Sequence, residues 1–411
     1  MEPGPQTPGV VIAGAGFAAG EFAIRLRQAG YTHAITLVGA EPHLPYHRPP
    51  LSKTYLSGAV TEDTLLLRPE AAYTRANITF RPRTTVTAID RQAKAAVLST
   101  GETLPFNHLV LATGGHARRL TCPGADLQGV LALRTLDDVA AIRAHLQPGK
   151  TLVIIGGGYI GLEVAAVATK HGAAVTVVEA APRVLARVAG AEISAFYEKA
   201  HRDAGVTILT SAAVTALTGA EDHVTGVTLA DGRHLPADFV IAGIGLIPND
   251  QLAKDAGLQT ENGIWVDEYC QTEDPAILAI GDCSNHPSTF LGRRVRLESV
   301  PNAIEQARVA ADTITGKMAP YAAIPWFWSE QYDLKLQAVG ISDGHDQVVL
   351  RGDMAARSFI IFYLRQGTVI AADAVNKPGE FLIAKRLVGA ATRPDSVGLA
   401  DPSRPLKDLL A

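Results

Sequence analysis

Three glycines in one short run are the residues whose spacing first suggests chemistry. Gly156, Gly158 and Gly161 form G-x-G-x-x-G, with Tyr159 and Ile160 inside it, and the apolar run Leu152 to Ile155 leads straight in. In such a pattern the first glycine permits a tight turn. The second lets a pyrophosphate approach the backbone, and the third lets a helix lie close to a strand. The free N–H groups and dipole of the helix N-terminus then favour phosphate. Beyond the helix, Ala174 to Val178 reads as a second strand ending in Glu179. A carboxylate there can accept both hydroxyls of an adenosine ribose and would repel a 2′-phosphate. The pattern predicts an NAD site in the middle of the chain.

A second turn of this kind stands at the N-terminus. Val10 to Ala13 reads as a strand, followed by Gly14-Ala15-Gly16-Phe17-Ala18-Ala19, the variant with a small third residue. A helix over Glu21 to Gln28 and a strand over Ala34 to Val38 complete the unit. Gly39 and Ala40 then occupy the place of the usual acidic ribose ligand, and Glu41 comes one step late. Either Glu41 or the backbone takes the ribose, or Glu41 is a solvated loop carboxylate. Pro45 to Lys53 contains three prolines, so an extended, rigid loop is expected, able to hold Arg48 and Lys53 against a cofactor. Ala112-Thr113-Gly114-Gly115 ends a strand with small residues. Leu278 to Ile280 delivers Asp282 through Gly281, and an Asp capping a helix is the plainer reading there. Glu298 to Ala303 opens a helix whose positive end, near Val300, could face the carbonyl edge of a bound ring.

The elements that must position these residues alternate strand and helix. Short β segments are expected over residues 78–80, 85–89, 95–99 and 108–111. Thr135 and Asp138 form a capping box before the central turn. Further strands at 206–209, 214–217, 224–229 and 238–241 follow, and Gly243 to Asn249, with Gly245, closes an insert. The last segment, from Pro325, is β-rich with a helix over 380–387, and it carries Trp326 and Trp328. The fold class is α/β: two Rossmann-like dinucleotide-binding domains plus a small α+β C-terminal domain. The expected boundaries are 1–118 with 247–324 for the first, 119–246 for the second and 325–411 for the third.

The chain has 411 residues and a net charge of −4, which gives no bulk attraction to nucleic acid. Its three cysteines, Cys122, Cys270 and Cys283, form no C-x-x-C pair, which argues against a metal site, a disulfide framework and a redox dithiol. A reduced, cytoplasmic setting fits. The first nine residues read as a disordered tag, not a signal peptide. The apolar stretch from Leu152 to Ala168 is broken by Glu163 and glycines, so no membrane span is expected.

Five motifs are more specific than a glycine turn: R-P-P-L-S-K (Arg48 to Lys53), I-I-G-G-G-Y-I-G-L-E (Ile154 to Glu163), A-G-I-G-L-I-P-N (Ala242 to Asn249), E-S-V-P-N-A (Glu298 to Ala303) and P-W-F-W-S (Pro325 to Ser329). Over nearly the whole length the chain resembles the oxygenase-coupled, NADH-dependent ferredoxin reductases, with rubredoxin reductases and apoptosis-inducing factor as wider relatives. The resemblance implies a glutathione-reductase-like arrangement, with FAD on the N-terminal fold and NADH on the inserted one. Carried over by motif, FAD contacts Gly14, Gly16, Phe17, Ala18, Arg48, Lys53, Val86, Ala112, Thr113, Arg134, Asp282 and Val300, with Ala15, Gly39, Ala40, Glu41, Gly114 and Gly281 in the same site. The family's aspartate at the Ala40 position is absent, which leaves the adenosine ribose contact open. Thiol-disulfide relatives carry a cysteine pair where this chain has R-P-P-L-S-K, so dithiol chemistry is disfavoured.

The same resemblance implies a two-electron donor, NADH, and a one-electron acceptor, a [2Fe–2S] ferredoxin serving a cytochrome P450 or a ring-hydroxylating dioxygenase. A flavin can mediate because it is stable at three redox levels. A Lys53–Glu163 ion pair is expected beside flavin N5. Lys53 would stabilise the reduced ring and Glu163 would hold the nicotinamide amide, unless the pair is a plain interdomain salt bridge. Trp328 is the candidate for the ferredoxin-facing edge, with core packing as its alternative. An acidic partner would need a local basic patch, for which Arg293, Arg294, Arg296 and Arg308 are candidates. A rubredoxin reductase, an NADH oxidase and an NADH-sensing flavoprotein are the competing readings. No nucleic acid or membrane partner is expected, and the chain should be a monomer or weak homodimer.

Overall fold

The computed structural model describes residues 8–410. The expected N-terminal tag lies outside them as far as residue 7, and Gly9 already opens the first strand. Two compact units emerge. One comprises the chain up to Arg48, Glu62–His116 and Ile247–Pro325; the other comprises Pro49–Thr61, Ala117–Leu246 and the chain from Trp326. The sequence alone groups Pro49–Thr61 with the first unit, whereas its contacts place it in the second.

The first unit is built on a parallel sheet. Ile78–Arg81, Ile35–Val38, Gly9–Ala13, Thr103–Leu111 and Ile277–Ala279 lie side by side in that order. The near end of Thr103–Leu111 also pairs antiparallel with Ala95–Leu98, which pairs with Val86–Asp90. The central strand is apolar throughout because both its faces are covered. Val10 and Ile12 join Phe22, Leu26, Ala307 and Ala310 on one side. Val11 and Ala13 join Leu109, Ile264 and Ile277 on the other. Helix Phe17–Gln28 starts four residues earlier than expected, because Gly16 is its cap and the glycine turn runs directly into it.

The second unit repeats this plan. Its parallel sheet runs Thr207–Leu209, Ala174–Val178, Thr151–Ile155, Phe239–Ala242, Val130–Leu131. A three-stranded antiparallel excursion, Val214–Ala220, His223–Leu229 and His234–Pro236, follows. Thr135 caps helix Leu136–His145 in the expected capping box with Asp138. The same unit holds a five-stranded antiparallel sheet, ordered Trp326–Gln331, Leu334–Gly340, Thr368–Val375, Ser358–Arg365, Gln347–Asp353, with helix Pro378–Gly389 against it. Thr368–Val375 was not expected. Its A-A-D-A-V core lacks the alternation and large side chains that mark a strand.

Asp373 explains that missing alternation. It is a buried acid in the middle of the sheet, and Tyr363 donates to it at 2.9 Å. Burial pushes its carboxyl up to about 7, only partly offset by that hydrogen bond. A raised folded value favours the fold fully below about pH 4, and that contribution is lost as pH rises through 7. The cost above pH 7 is on the order of 4 kcal/mol. Asp373→Asn should therefore raise the thermal midpoint by a few degrees at pH 8 and by much less at pH 5. Scanning calorimetry at the two pH values checks this; an equal gain at both would show that the carboxyl does not titrate with folding.

Candidate active site

Each unit presents the same glycine geometry. Gly14 and Gly156 sit at φ +111° and +110°. A Cβ on Gly14 would lie 2.2 Å from the carbonyl oxygen of Ala112, and one on Gly156 would lie 2.4 Å from that of Gly243. Both turns thus pass against a neighbouring strand end with no room for a side chain. The third positions keep helix and strand close: a Cβ on Gly161 would meet the Gly156 carbonyl at 2.2 Å, and Ala19 is fully buried. The middle glycines differ. Gly16 and Gly158 cap helices Phe17–Gln28 and Tyr159–Lys170 without any side-chain hydrogen bond, and a Cβ on either would touch nothing within 4 Å. Each is an open cradle in front of uncapped helix N–H groups, which fits the pyrophosphate of a dinucleotide.

Around the first cradle the chain brings several expected residues together. A Cβ on Gly39 would press on Ala15, and one on Gly281 would press on Ala18, so both glycines are pinned against the turn. Gln306, fully buried, holds Gly281 by accepting from its N–H at 2.7 Å, and it also accepts from Ser284 Oγ at 2.9 Å. Gln306 was not legible as a site residue. Asp282 caps no helix; it lies within the 3₁₀ turn Gly281–Cys283. Thr113 Oγ1 donates to the Asn249 carbonyl at 2.6 Å and Asn249 Nδ2 donates back to the Thr113 carbonyl at 2.9 Å, tying residues 112–114 to the returning chain. Ser299 caps helix Val300–Ile314, which opens within Glu298 to Ala303 as expected. Val86 is half-buried at the start of its strand and Ala40 is exposed. Glu41 is not a solvated carboxylate: Arg48 bonds it at 2.6 Å and Tyr46 at 2.7 Å. Burial raises its carboxyl, but Arg48 and the two hydrogen bonds outweigh this and hold it below the usual range. Arg134 falls in the second unit, just before the capping box, where its backbone N–H donates to Asp138 at 2.8 Å.

In the second unit Glu179 sits at the end of Ala174–Val178. Its Oε2 accepts from Gly157 N–H and its Oε1 from Ala181 N–H, both at 2.7 Å. Each oxygen keeps a lone pair for a ribose hydroxyl. Arg183, the first cation after it, spends its guanidinium on the carbonyls of Ala186 and Ala189 at 3.1 and 2.8 Å and on Ser194 Oγ at 2.5 Å. It is thus not offered to a 2′-phosphate. Ile160 is exposed, Gly245 sits at φ +108°, and the Tyr159 ring packs on Phe327 with centroids 4.5 Å apart.

Glu163 is where three segments of this unit meet. One turn into helix Tyr159–Lys170, it is 4% exposed. The expected ion pair is present, with Lys53 Nζ at 2.7 Å from Oε2. Ser52, at the end of the 3₁₀ turn Pro49–Ser52, donates to the same oxygen at 2.5 Å. Ser329 donates to Oε1 at 2.6 Å. Neither serine was singled out from sequence, although R-P-P-L-S-K and P-W-F-W-S contain them. Strand alternation explains the second motif: Phe327, Ser329 and Gln331 share one face of Trp326–Gln331, and Trp326 and Trp328 share the other. On that face the two indoles lie 5.8 Å apart, and Trp326 packs on Phe381 with Lys385 over its ring at 4.7 Å. Packing on Phe381 thus engages Trp326, and both indoles stay half-buried.

The four candidate docking arginines are not equivalent. Arg293 is exposed. Arg294 is turned inward, bonded to the carbonyls of Val266 and Asn285 and stacked 4.1 Å over Trp265. Arg296 pairs with Glu298 at 2.8 Å and bonds the Asp282 carbonyl at 3.2 Å. Arg308 shares its charge with Glu305 and Asp312. Of the four candidates, Arg293 is thus exposed, Arg294 is turned inward, and Arg296 and Arg308 are each paired with carboxylates. Cys122, Cys270 and Cys283 are all free thiols. No helix among the described residues is long and apolar enough to cross a membrane.

Comparison with known proteins places this geometry. Residues 8–307 match the family described as pyridine nucleotide-disulphide oxidoreductase, and residues 326–410 match the reductase C-terminal domain. The chain is 47% identical to putidaredoxin reductase CamA of Pseudomonas putida over 98% of its own length and 96% of that protein. It is also 47% identical to the ferredoxin reductase subunit of 5,5′-dehydrodivanillate O-demethylase from a Sphingobium species, over 98% of each chain. Among solved structures it superposes on the reductase of a covalent putidaredoxin reductase–putidaredoxin complex with a TM-score of 0.95, at 46% identity and 99% coverage of both chains.

The two kinds of glycine predict opposite outcomes. Gly158→Ala places a methyl in open space at an ordinary φ of −78°. It should leave the thermal midpoint within about a degree of wild type yet weaken NAD⁺ binding more than about tenfold, since the methyl fills the phosphate cradle. Gly156→Ala, at positive φ and against the Gly243 carbonyl, should lower the midpoint by several degrees. Calorimetry and NAD⁺ titration on both variants decide it.

Proposed function

The chain belongs to the pyridine nucleotide-disulphide oxidoreductases and carries the reductase C-terminal domain, and we propose that it works there as an FAD-dependent NADH:ferredoxin reductase. The observation that carries this reading is the Lys53–Glu163 pair, buried in the second unit of a chain with no cysteine pair. A thiol-disulfide branch of the family would need a dithiol; this chain offers an ammonium and a carboxylate instead. Its close similarity to reductases named for ferredoxin partners supports the acceptor class.

In this reading residues 1–118 and 247–324 hold FAD, 119–246 hold NADH, and 325–411 serve as the C-terminal interface domain. FAD, when bound, accepts the hydride of NADH and passes electrons on singly. The chain's own residues supply position and charge. Gly16 and Gly158 admit the two pyrophosphates. Glu179 takes the ribose hydroxyls and disfavours NADPH. Asp282 and the N-terminus of helix Val300–Ile314 face the flavin. Glu41, which spends one acceptor site of each oxygen on Arg48 and Tyr46 and keeps the other, and the backbone at Gly39 and Ala40 are both left for the adenosine ribose. Lys53 offers its ammonium to negative charge on the reduced ring. Glu163 has about four acceptor sites on its two oxygens. Three are filled, and the one left on Oε1 suits an N–H of the nicotinamide amide. Trp328 stands at the ferredoxin-facing edge, and Arg293 contributes to docking an acidic [2Fe–2S] partner of a P450 or dioxygenase system.

Lys53→Met should slow flavin reduction by NADH at least about tenfold, which corresponds to roughly 1.4 kcal/mol of barrier. Ser52 and Ser329 still donate to Glu163 in this variant, and circular dichroism checks that it folds. Stopped-flow reduction checks the rate, and a wild-type value would remove Lys53 from the mechanism. NADH should also exceed NADPH in kcat/KM by about a hundredfold or more, since a 2′-phosphate would meet the Glu179 carboxylate while Arg183 is spent on its own segment. Finally, cytochrome c reduction should depend on added [2Fe–2S] ferredoxin and fall as salt is raised from about 50 to 500 mM. Ferredoxin-independent turnover would point to an oxidase, and salt-insensitive turnover would exclude electrostatic docking.

A further inference from the structure

The hydrogen bonds to Glu163 do not stop at Ser329. Gln331 Nε2 donates to Ser329 Oγ at 3.2 Å. Gln331 Oε1 meets His201 Nε2 at 2.8 Å, and His201 Nδ1 meets the Tyr332 hydroxyl at 3.0 Å. Ser329, Gln331 and His201 are at most 1% exposed. The line crosses from helix Tyr159–Lys170 through strand Trp326–Gln331 to helix Ala191–Asp203, all within the second unit.

The line has a single sense. The carboxylate of Glu163 only accepts, so the one proton of Ser329 points at it. Ser329 Oγ is then free to accept, and the Gln331 amide N–H supplies it. That orients the Gln331 carbonyl towards His201, whose Nε2 must carry the proton, leaving Nδ1 to accept from Tyr332. Burial, which pushes the His201 imidazole down to about 4 with only partial opposition from Gln331, keeps it in the neutral form this pattern needs. Every donor in the line therefore aims towards Glu163. An amide stands in the middle, and an amide does not relay protons as hydroxyls and imidazoles do. Proton delivery is thus ruled out as its use. Packing alone is a poor account as well. Apolar residues of similar volume would fill the space without the cost of burying several polar groups, and this line ends on the buried ion pair of Lys53 and Glu163.

We infer that Ser329, Gln331 and His201 are positioning residues for Glu163, locking the carboxylate so that the free lone pair of Oε1 is presented to the carboxamide N–H of the nicotinamide. The inference rests on the reading of Glu163 as the residue that holds that group. In the holoenzyme, NAD⁺ affinity is read from the change in flavin absorbance and hydride transfer from stopped-flow reduction. Gln331→Met should raise the NAD⁺ Kd about tenfold, what one oriented charge-assisted hydrogen bond is worth, and slow reduction by a similar factor. Ser329→Ala should do the same, and Ser329→Thr, which keeps the hydroxyl, should restore both. In a Glu163→Gln background Gln331→Met should change nothing further.

The outcomes separate cleanly. Wild-type values for Gln331→Met, with both quantities impaired by Glu163→Gln, would overturn the positioning role and leave Glu163 in place. Wild-type values for Glu163→Gln itself would remove the reading beneath. Additive losses in the double variant would mark structural damage and also overturn the inference. If Gln331→Met does not fold, ¹⁵N NMR of the wild-type imidazoles, assigned with His201→Phe, decides alone. Neutral His201 protonated on Nε2 at pH 7 is required, and either the Nδ1–H form or the imidazolium refutes it.

Discussion

A carboxylate with almost no water around it must be met by donors, and the second unit is arranged around that requirement at Glu163. Leaving such a charge without its partner costs about 3–5 kcal/mol, a large share of the stability of any domain. Lys53, Ser52 and Ser329 answer it from two segments far apart in sequence. These bonds join Arg143, which donates to the carbonyls of Tyr55 and Leu56, in tying Pro49–Thr61 to the second unit although the chain on both sides of it belongs to the first.

The glycine turns solve a different problem by omission. Gly14 and Gly156 lack side chains because a carbonyl occupies the space. At Gly16 and Gly158 the space stays open in front of uncapped helix N–H groups. Two positions apart in the same motif, one glycine is demanded by the fold and the other is not. The two units repeat the distinction with φ values one degree apart. The acids at the two strand ends are held differently, Glu179 by two backbone N–H groups and Glu41 by Arg48.

Much of this was legible in the sequence, and what was not has physical reasons. Glycine spacing, the capping box at Thr135 and the acid at Glu179 are local patterns, and a local pattern survives reading in one dimension. Lys53 and Glu163 could be paired because each stands in a distinctive motif. Ser52, Ser329, Gln306, Gln331 and His201 could not, since serine, glutamine and histidine acquire meaning only from the segment that folds opposite them. The arginines make the converse point. A guanidinium aimed at carbonyls, as in Arg294, is spelled the same as one aimed at solvent. Thr368–Val375 was missed because its small residues and buried acid erase the period-two signal.

Strand Trp326–Gln331 carries one further consequence. Its two faces have unrelated duties: Phe327, Ser329 and Gln331 turn to the glycine-turn helix and its neighbour, while Trp326 and Trp328 turn to the opposite side. Loss or gain of one residue before it would swap the two sets, offering indole to a buried carboxylate and hydroxyl to an aromatic pair. Almost any single replacement is a smaller insult than that. The segment therefore tolerates a change in length less well than a change in spelling, and the two duties, although chemically independent, are inherited as one frame.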